Sequence, residues 1–326
     1  MSDNTVFVET PARLHFGVLD LRGDLGRWFG GIGAAAPDPM LVLSADPADS
    51  LEAEGDDAER ALTFARRFLE HYKSKRGVRL RVHRALPSHA GLGSGTQLAL
   101  AVGRALAELH EVAIDTATIA RVVGRARRSA IGTWTFAHGG LVVEGGHRRG
   151  HDGCGPLLAR HAFPTSWRCL VAVPDGRSRM TGAAEEEAFA TLPPPPPHEA
   201  ERVAHLVLMG LLPALAEGDL AAFGSVLTQI QEINGRWFEQ VQGSVFAPGP
   251  SEELVRRMAE WGASGVGQSS WGPAVYGIVE GDDAAKRLAD SVRRLLSGAG
   301  QVHEGPFRNE GARVRRSGSR STTVRG

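Results

Sequence analysis

The glycine-rich segment of residues 87–97, Pro-Ser-His-Ala-Gly-Leu-Gly-Ser-Gly-Thr-Gln, limits the possible folds of this chain more than any other. It follows an alternating run from Val78 to Arg84, typical of a strand, and it leads into Leu98 to Leu106, which favours a helix. Glycines let the amide N–H groups of such a turn converge on one anion, and the positive end of the helix dipole adds to the attraction. The segment therefore predicts a phosphate-binding loop. The simpler alternative is a tight turn in which Ser94 or Thr96 only caps the helix.

The composition is that of an ordinary globular protein. The chain has 326 residues, 42% of them hydrophobic and 23% charged, with a formal net charge of zero. Nothing in this balance indicates binding to nucleic acid or to an anionic membrane surface. Cys154 and Cys169 are the two cysteines, with no metal-type spacing, and the chain begins without a signal-like segment. We expect a cytoplasmic protein with reduced thiols.

The pattern of elements predicts an α+β protein in two parts. Five consecutive prolines, Pro193–Pro197, are typical of a stiff spacer, although a recognition sequence for a proline-binding partner is the alternative. Long helical patterns follow this run. We predict an N-terminal domain over residues 1–192, a C-terminal domain over residues 193–310, and a disordered, arginine-rich tail over residues 311–326. Binding of a polyanion by that tail is the minor alternative.

Local patterns predict several individual elements. Thr5 to Leu21 is typical of two short strands separated at Pro11, and β-prone residues predict a strand around Trp134 to Phe136. Thr116 to Arg128 and Glu199 to Glu217 each favour one continuous helix. Gly262 to Gln268 is typical of a second glycine-rich turn.

Three segments, taken in order, resemble the GHMP kinase superfamily, named for galactokinase, homoserine kinase, mevalonate kinase and phosphomevalonate kinase. They are residues 10–17 (Thr-Pro-Ala-Arg-Leu-His-Phe-Gly), residues 87–97, and residues 265–272 (Gly-Val-Gly-Gln-Ser-Ser-Trp-Gly). The resemblance implies an N-terminal half like ribosomal protein S5, with a left-handed β-α-β unit. It also implies a ferredoxin-like C-terminal half, with the active site between the halves.

In its detailed residue sequence the chain resembles one branch of the superfamily, the β-ribofuranosylaminobenzene 5′-phosphate synthases. Its most specific element is the string Gly267 to Pro273, where the kinases have a glycine cluster. The resemblance implies a pentosyltransferase of tetrahydromethanopterin biosynthesis, which joins phosphoribosyl pyrophosphate to 4-aminobenzoate or 4-hydroxybenzoate and releases CO2 and pyrophosphate. It also implies Mg²⁺ as cofactor and a homodimer. The sequence leaves the choice of benzoate open.

The candidate site residues combine the loop with polar groups from the other two segments. Arg13 and His15 alternate on one strand, so we expect both side chains on the same face, where they can hold a carboxylate or phosphate. A solvated arginine and a structural histidine are the alternative. The predicted site residues are Arg13, His15 and Gln268 for catalysis; His89, Gly91, Gly93, Ser94, Gly95, Thr96 and Gln97 in the loop; and Ser269, Ser270 and Trp271 for other substrate contacts.

Two rival functions follow from the acidic residues. A kinase of this superfamily carries an acid after the loop helix, whereas residues 127–136 contain no Asp or Glu. The missing acid weighs against an ATP-dependent small-molecule kinase, which is the first alternative. It is compatible with a non-catalytic ligand-binding homologue, which is the second. For Mg²⁺ the candidate ligands are Ser94 and Asp20, and the acidic run Glu185 to Glu187 is either a further metal contact or a solvated helix face.

Overall fold

The computed structural model describes residues 4–148, 150, 153–176, 182–317 and 322–324. Within these residues, two β-sheets are surrounded by helices. The strands are β1 (Val6–Asp20), β2 (Arg27–Ala48), β3 (Leu51–Gly55), β4 (Gly77–Arg84), β5 (Leu141–Glu144), β6 (His147–Arg148), β7 (Leu157–His161), β8 (Trp167–Pro174), β9 (Gly265–Gln268), β10 (Val275–Glu280), β11 (Gly300–Pro306), β12 (Arg313–Arg316) and β13 (Thr322–Thr323). The helices are α1 (Ala58–His71), α2 (Ser94–Leu109), α3 (Thr116–Val122), α4 (Ile131–His138), α5 (Ala183–Thr191), α6 (Pro197–Leu206), α7 (Leu212–Glu217), α8 (Leu220–Gln242), α9 (Pro250–Glu260) and α10 (Asp282–Leu296).

The larger sheet is built around the long antiparallel pair of β1 and β2. Its main order is β13-β12-β1-β2-β4-β3, and β5, β6 and β7 extend it beside β2. The β1–β2 register shifts between Pro11 and Arg13, and again between His15 and Gly17. Such irregularities change the direction of nearby side chains. They lie on either side of the segment that carries Arg13 and His15.

The smaller sheet has the order β11-β8-β10-β9, and each of its pairings is antiparallel. Helices between β8 and β9, and α10 between β10 and β11, complete a β-α-β-β-α-β sequence, which is the ferredoxin-like arrangement. The expected C-terminal architecture is therefore confirmed.

Aromatic contacts join the two sheets into one core. The ring of Phe16 on β1 lies 4.8 Å from that of Tyr276 on β10, and both side chains are fully buried. Phe163 stacks on Phe307 at 3.7 Å between ring centres, next to Trp167 of β8. Because these rings bury a large apolar area, they fix the position of one part of the chain against the other.

Several predicted elements differ from the structure. Residues 131–138 form helix α4 instead of a strand at 134–136, and residues 265–268 form strand β9 instead of a turn. The two strands predicted within residues 5–21 are one strand, β1. Helix α3 ends at Val122, and the helix predicted over residues 199–217 contains a π-helical turn at Val207–Leu211. Phe136 and the β-branched residues of α4 are buried and Trp134 is partly buried, and this packing outweighs their weak preference for strands.

The division into parts also differs from the prediction. β8 precedes residue 193 but belongs to the smaller sheet, so the predicted boundary at 192/193 does not separate the sheets. Strand β12 pairs with β1, so the predicted disorder is wrong for residues 313–316. It is also wrong for residues 322–323, which form β13 and pair with β12. Tail residues 318–321 and 325–326 lie outside the described residues. Pro195 accepts a hydrogen bond from the Arg22 guanidinium at 2.7 Å, so the proline run is fixed against the β1–β2 hairpin.

None of the described helices is both long and apolar enough to cross a lipid bilayer.

Candidate functional site

The glycine-rich loop forms one compartment of a cleft between the two sheets. It connects β4 to α2, and Gly91 and Gly93 have φ values of +78° and +74°, which side chains other than glycine rarely adopt. A Cβ at Gly91 would collide with the backbone oxygen of Ser269. Gly93 is the N-cap of α2 and supplies no side-chain cap, so the first amides of this helix face the compartment. This geometry supports the predicted anion-binding loop.

Three guanidinium groups surround the loop. Arg13 from β1, Arg60 from α1 and Arg125 from the segment after α3 line the same compartment. A Cβ at Gly93 would lie 2.7 Å from the Arg13 side chain, and a Cβ at Gly95 would lie within 2.5–2.7 Å of Arg125 and Arg60. Arginine forks and helix N-termini are the common partners of phosphate groups in proteins. The compartment is therefore strongly cationic and suited to a phosphorylated ligand.

The turn after β9 packs directly against the loop through Ser269. The Ser269 hydroxyl donates to the Gly91 carbonyl at 2.7 Å and accepts from the His15 backbone N–H at 3.0 Å. The Ala274 amide donates to the Ala90 carbonyl at 3.1 Å. The three segments that carry the resemblance thus meet at one buried hydroxyl.

An aromatic cavity forms the second compartment of the cleft. Phe189 of α5 makes edge-to-face contacts with Phe29, Phe238 and Trp271, with 5.6–5.9 Å between ring centres. The cavity volume is about 120 Å³, several times the roughly 10–15 Å³ that one water needs. Walls of this kind suit a flat aromatic ring. The two compartments share the side chains of Arg13, Glu185, Ser270 and Trp271.

Arg13 and His15 line the aromatic cavity together, as expected from their alternation on β1. Burial lowers the pKa of Arg13 to about 10, partly offset by Glu185, so the guanidinium stays charged at neutral pH. Burial, and then the charge of Arg13, lower the pKa of His15 to about 3. His15 is therefore a neutral imidazole next to a permanent cation.

Two predicted contact residues are engaged in structural hydrogen bonds. The Gln268 amide oxygen accepts from the Ala247 amide at 2.6 Å, and its nitrogen donates to Gln242 and to the Ser270 carbonyl, each at 2.9 Å. Gln97 is fully buried between Thr10 and Gly132 and does not line the cleft. These protein partners argue against a direct contact between Gln97 and substrate, while the catalytic role predicted for Gln268 stays a prediction. Gln268 positions the turn, although its side chain borders the cavity.

The other predicted residues divide between the cleft surface and its support. Ser269 has no exposed surface and acts through its two backbone partners, which differs from the predicted substrate contact. The remaining predicted residues that line the cleft are His89, Gly91, Gly93, Ser94, Gly95, Thr96, Ser270 and Trp271.

Acidic groups are scarce around the cleft. Asp20 does not line it, and accepts hydrogen bonds from the Arg22 and Gly23 amides in the turn after β1, which argues against the predicted metal role. Of the described lining residues, Glu185 is the one carboxylate, 3.3 Å from both the Arg128 guanidinium and the Trp271 indole nitrogen. Mg²⁺ commonly binds through one or two carboxylates and substrate phosphates. Glu185, with the Ser94 hydroxyl, fits that limited donor set.

Several cleft residues were not identified from the sequence. Arg60, Arg125, Arg128, Phe29 and Phe189 all line it, although they are far apart along the chain. A partial signal exists for Arg60, because it lies seven residues before Arg67, which places both arginines on one face of α1. The aromatic walls come from four separate elements, and no sequence periodicity connects them.

Comparison with known proteins agrees with this geometry. The models for the GHMP kinase N-terminal domain and the GHMP kinase C-terminal domain match residues 59–140 and 211–298. The homoserine kinase structure from Cytophaga hutchinsonii superposes with a TM-score of 0.66 at 18% identity, covering 97% of this chain and 98% of that chain. At such low identity, this likeness shows the fold alone.

Curated relatives give a narrower assignment. The β-ribofuranosylphenol 5′-phosphate synthase of Methanothermobacter thermautotrophicus is 34% identical over 94% of this chain and 98% of its own length. The protein of the same name from Archaeoglobus fulgidus is 35% identical, covering 84% of this chain and 87% of its own length. With the loop, the cationic compartment and the aromatic cavity in place, the chain belongs to the β-ribofuranosylphenol 5′-phosphate synthase family, a branch of the GHMP kinase fold.

Proposed function

We propose that this protein joins phosphoribosyl pyrophosphate to 4-hydroxybenzoate or 4-aminobenzoate, releases CO2 and pyrophosphate, and acts in tetrahydromethanopterin biosynthesis. The observation that carries this proposal is the arrangement of the cleft: a cationic phosphate loop and an aromatic cavity share Arg13, Ser270 and Trp271. A phosphorylated sugar donor in one compartment would meet an aromatic acid in the other. The relatives' name denotes a phenol product, which corresponds to the hydroxy acid.

The leaving group would be stabilised by the loop. As the bond from the anomeric carbon to pyrophosphate breaks, negative charge develops on the diphosphate and positive charge on the sugar. The first amides of α2, with Arg13, Arg60 and Arg125, line the compartment in which the diphosphate would lie, and such preorganised charge is the main source of catalysis in many enzymes. Mg²⁺, bound with the diphosphate near Glu185, would neutralise part of the developing charge.

The ring carbon that carries the carboxylate would attack the anomeric carbon. The oxygen or nitrogen para to that carbon donates electrons to the ring. Loss of CO2 returns the electron pair of the broken bond between ring and carboxylate, and so restores aromaticity. No base is needed at that carbon, which is consistent with the scarcity of acidic groups. The Arg13 charge suits the carboxylate before it leaves, and the neutral His15 ring is available for a hydrogen bond in the same cavity.

The test is a turnover assay with phosphoribosyl pyrophosphate, Mg²⁺ and each carboxyl-labelled benzoate in turn. We expect labelled CO2, pyrophosphate and coupled product in equal amounts with at least one acid. Formation of ADP from ATP and a small alcohol, without CO2, would establish the kinase alternative. Donor binding without any product would indicate the non-catalytic homologue. The proposal also includes a cytoplasmic location and the homodimer that the resemblance implies. Size-exclusion chromatography with light scattering tests the dimer.

A further inference from the structure

Two arginines outside the family-like segments lie on either side of Gly95. One terminal nitrogen of Arg125 lies 2.5 Å from the position of a Cβ on Gly95, and one of Arg60 lies 2.7 Å from it. Both side chains line the loop compartment. Glycine at position 95 therefore gives two guanidinium groups room beside the first turn of α2, where any larger side chain would displace them.

The charges of this arrangement are unbalanced. Arg60 is held by the Asp57 carboxylate, with both oxygens at 3.0 Å, and by Ser88. Arg125 has no carboxylate within ion-pair distance among the residues that the structure describes, and its Nε is buried without a hydrogen-bond partner. Burial, then Arg60 and Arg67, lower the pKa of Arg125 to about 10, and the negative charge of Glu185 offsets part of this, so the group stays charged at neutral pH. A half-buried cation next to two other arginines is stabilised when an anion binds beside it.

We propose that Arg60 and Arg125 form a clamp that binds the diphosphate group of the ligand against the first turn of α2. This inference deepens the proposed function, on which it rests for the identity of the diphosphate as the donor's leaving group. Two guanidinium forks offer parallel N–H donors to two phosphoryl groups, whereas a monophosphate has oxygens for fewer of them. Inorganic pyrophosphate is therefore the simplest ligand that fills the clamp.

A purely structural role for Arg125 makes a different prediction. Its guanidinium lies 5.0 Å from the centre of the Phe64 ring, so it also packs on the α1 helix. If packing were its sole role, replacing Arg125 would lower stability and leave the affinity for pyrophosphate unchanged. If it binds the diphosphate, the replacement lowers affinity while the ligand-free protein keeps its stability, because the charge that is removed is half-buried and has no ion-pair partner among the described residues.

The experiment is isothermal titration of the full chain with inorganic pyrophosphate, with melting temperatures recorded for the same samples. Arg125→Met keeps most of the apolar stem and removes the fork, and Arg125→Lys keeps the charge without the fork. Arg121→Met, at an exposed position on α3, is the matched control for loss of one positive charge. We expect at least ~30-fold weaker binding for Arg125→Met, about tenfold weaker binding for Arg125→Lys, and less than a twofold change for the control. The melting temperature of ligand-free Arg125→Met is expected to equal or exceed that of the unaltered protein.

The possible outcomes separate the clamp from the reaction. Binding of pyrophosphate by Arg125→Met within twofold of the unaltered protein would overturn the clamp, as would a failure of the unaltered protein to bind millimolar pyrophosphate. If the unaltered protein binds pyrophosphate through Arg125 but makes no product from either benzoate, the clamp stands and the proposed function fails. If Arg125→Met does not fold, the Arg125→Lys titration decides the question.

Discussion

The hydroxyl of Ser269 accepts a hydrogen bond from the backbone N–H of His15 at 3.0 Å. The same hydroxyl donates to the Gly91 carbonyl at 2.7 Å. This fully buried side chain, from the turn after β9, therefore adds a third connection between the phosphate loop and β1, beside the two hydrogen bonds that Arg13 donates to the Leu92 and Gly91 carbonyls. The position of the donor compartment relative to the aromatic cavity depends on this connection.

We expect Ser269→Ala to lower activity more than its effect on stability would explain. The substitution leaves the buried His15 amide without a partner, which costs about 1–3 kcal/mol of unfolding free energy. Two direct hydrogen bonds from Arg13 to the loop, to the carbonyls of Leu92 and Gly91, remain, but the bridge between the loop and the His15 backbone is lost. We therefore also expect kcat/KM to fall at least ~10-fold, within the range for misplaced catalytic geometry. Urea unfolding and steady-state kinetics measure the two effects.

Ser44→Ala is the control for this change. Ser44 is also buried, and its hydroxyl is bonded to the His83 ring at 2.8 Å, between β2 and β4 and outside the cleft. It should lose a similar free energy with unchanged kcat/KM. Equal kinetic losses for the two variants would contradict a positioning role for Ser269.

We expect Gly93→Ala to weaken donor binding by moving Arg13. Gly93 has a φ of +74°, and a Cβ at this position would lie 2.7 Å from the Arg13 side chain. Gly218→Ala is the control, because Gly218 has the same φ with no atom within 4 Å of the added Cβ. Both variants should lose about 1–2 kcal/mol of stability from the left-handed backbone. The KM for phosphoribosyl pyrophosphate should rise at least ~10-fold in Gly93→Ala alone. An equal KM in both variants would indicate that the loop is a simple turn without a role in donor binding.

Gln268→Glu should destabilise the turn after β9. The new oxygen would face the Gln242 and Ser270 oxygens, which now accept hydrogen bonds from the amide nitrogen at 2.9 Å. We expect a loss of about 1–3 kcal/mol in unfolding free energy at pH 7, and a smaller loss at pH 5, where a buried carboxyl is protonated more readily. Gln240→Glu, at an exposed position on α8, should show neither effect. If Gln268→Glu had the same unfolding free energy as the unaltered protein, the result would favour direct contact between Gln268 and substrate.

Glu144 should make stability fall as the pH rises. Burial raises the pKa of its carboxyl to about 7, although the Gly146 and Ala130 amides and Arg27 favour the charged form. Between pH values of about 4.5 and 7, the carboxyl is protonated in the folded state and ionised in the unfolded state. The free energy of unfolding therefore decreases as the pH rises across that window. The contribution is on the order of 3 kcal/mol.

Glu144→Gln removes this titration, so the decrease in unfolding free energy between pH 5 and pH 8 should be smaller in the variant. Denaturant unfolding at several pH values measures the difference. Parallel pH profiles for the two proteins would show that Glu144 keeps an ordinary pKa. Because the carboxylate also accepts the hydrogen bond from Ala130, it fixes the start of α4 beneath the cleft.

The elements that were predictable from the sequence are those with a strong local pattern. Local patterns predict a strand over Trp167–Pro174 and helices over Ala58–Lys75, Asp219–Gln240, Ser251–Trp261 and Asp282–Ser297. The observed elements β8, α1, α8, α9 and α10 lie within a few residues of these ranges, since their periodicity agrees with the faces that they bury. Helix α4 was mistaken for a strand because Trp134, Thr135 and Phe136 favour strands locally, while tertiary burial decides otherwise. The order of strands around β8 and β12 depends on contacts between distant residues, which a local pattern does not contain.

The site was predictable only in its contiguous segments. The phosphate loop, Arg13 and His15 were found because glycine spacing and strand alternation have direct geometric consequences. The fully bonded amides of Gln268 and Gln97 could not be distinguished from substrate-binding amides without their partners. The Arg60 and Arg125 pair is formed by two separate elements that meet only in the folded chain.

A crystal structure of the protein with phosphoribosyl pyrophosphate and a benzoate would test the central claim most directly. We predict that the diphosphate lies within hydrogen-bond distance of the first amides of α2 and of Arg125, with the aromatic ring between Phe189 and Trp271 and its carboxylate next to Arg13. A diphosphate bound elsewhere, with the loop amides occupied by protein side chains, would contradict the account.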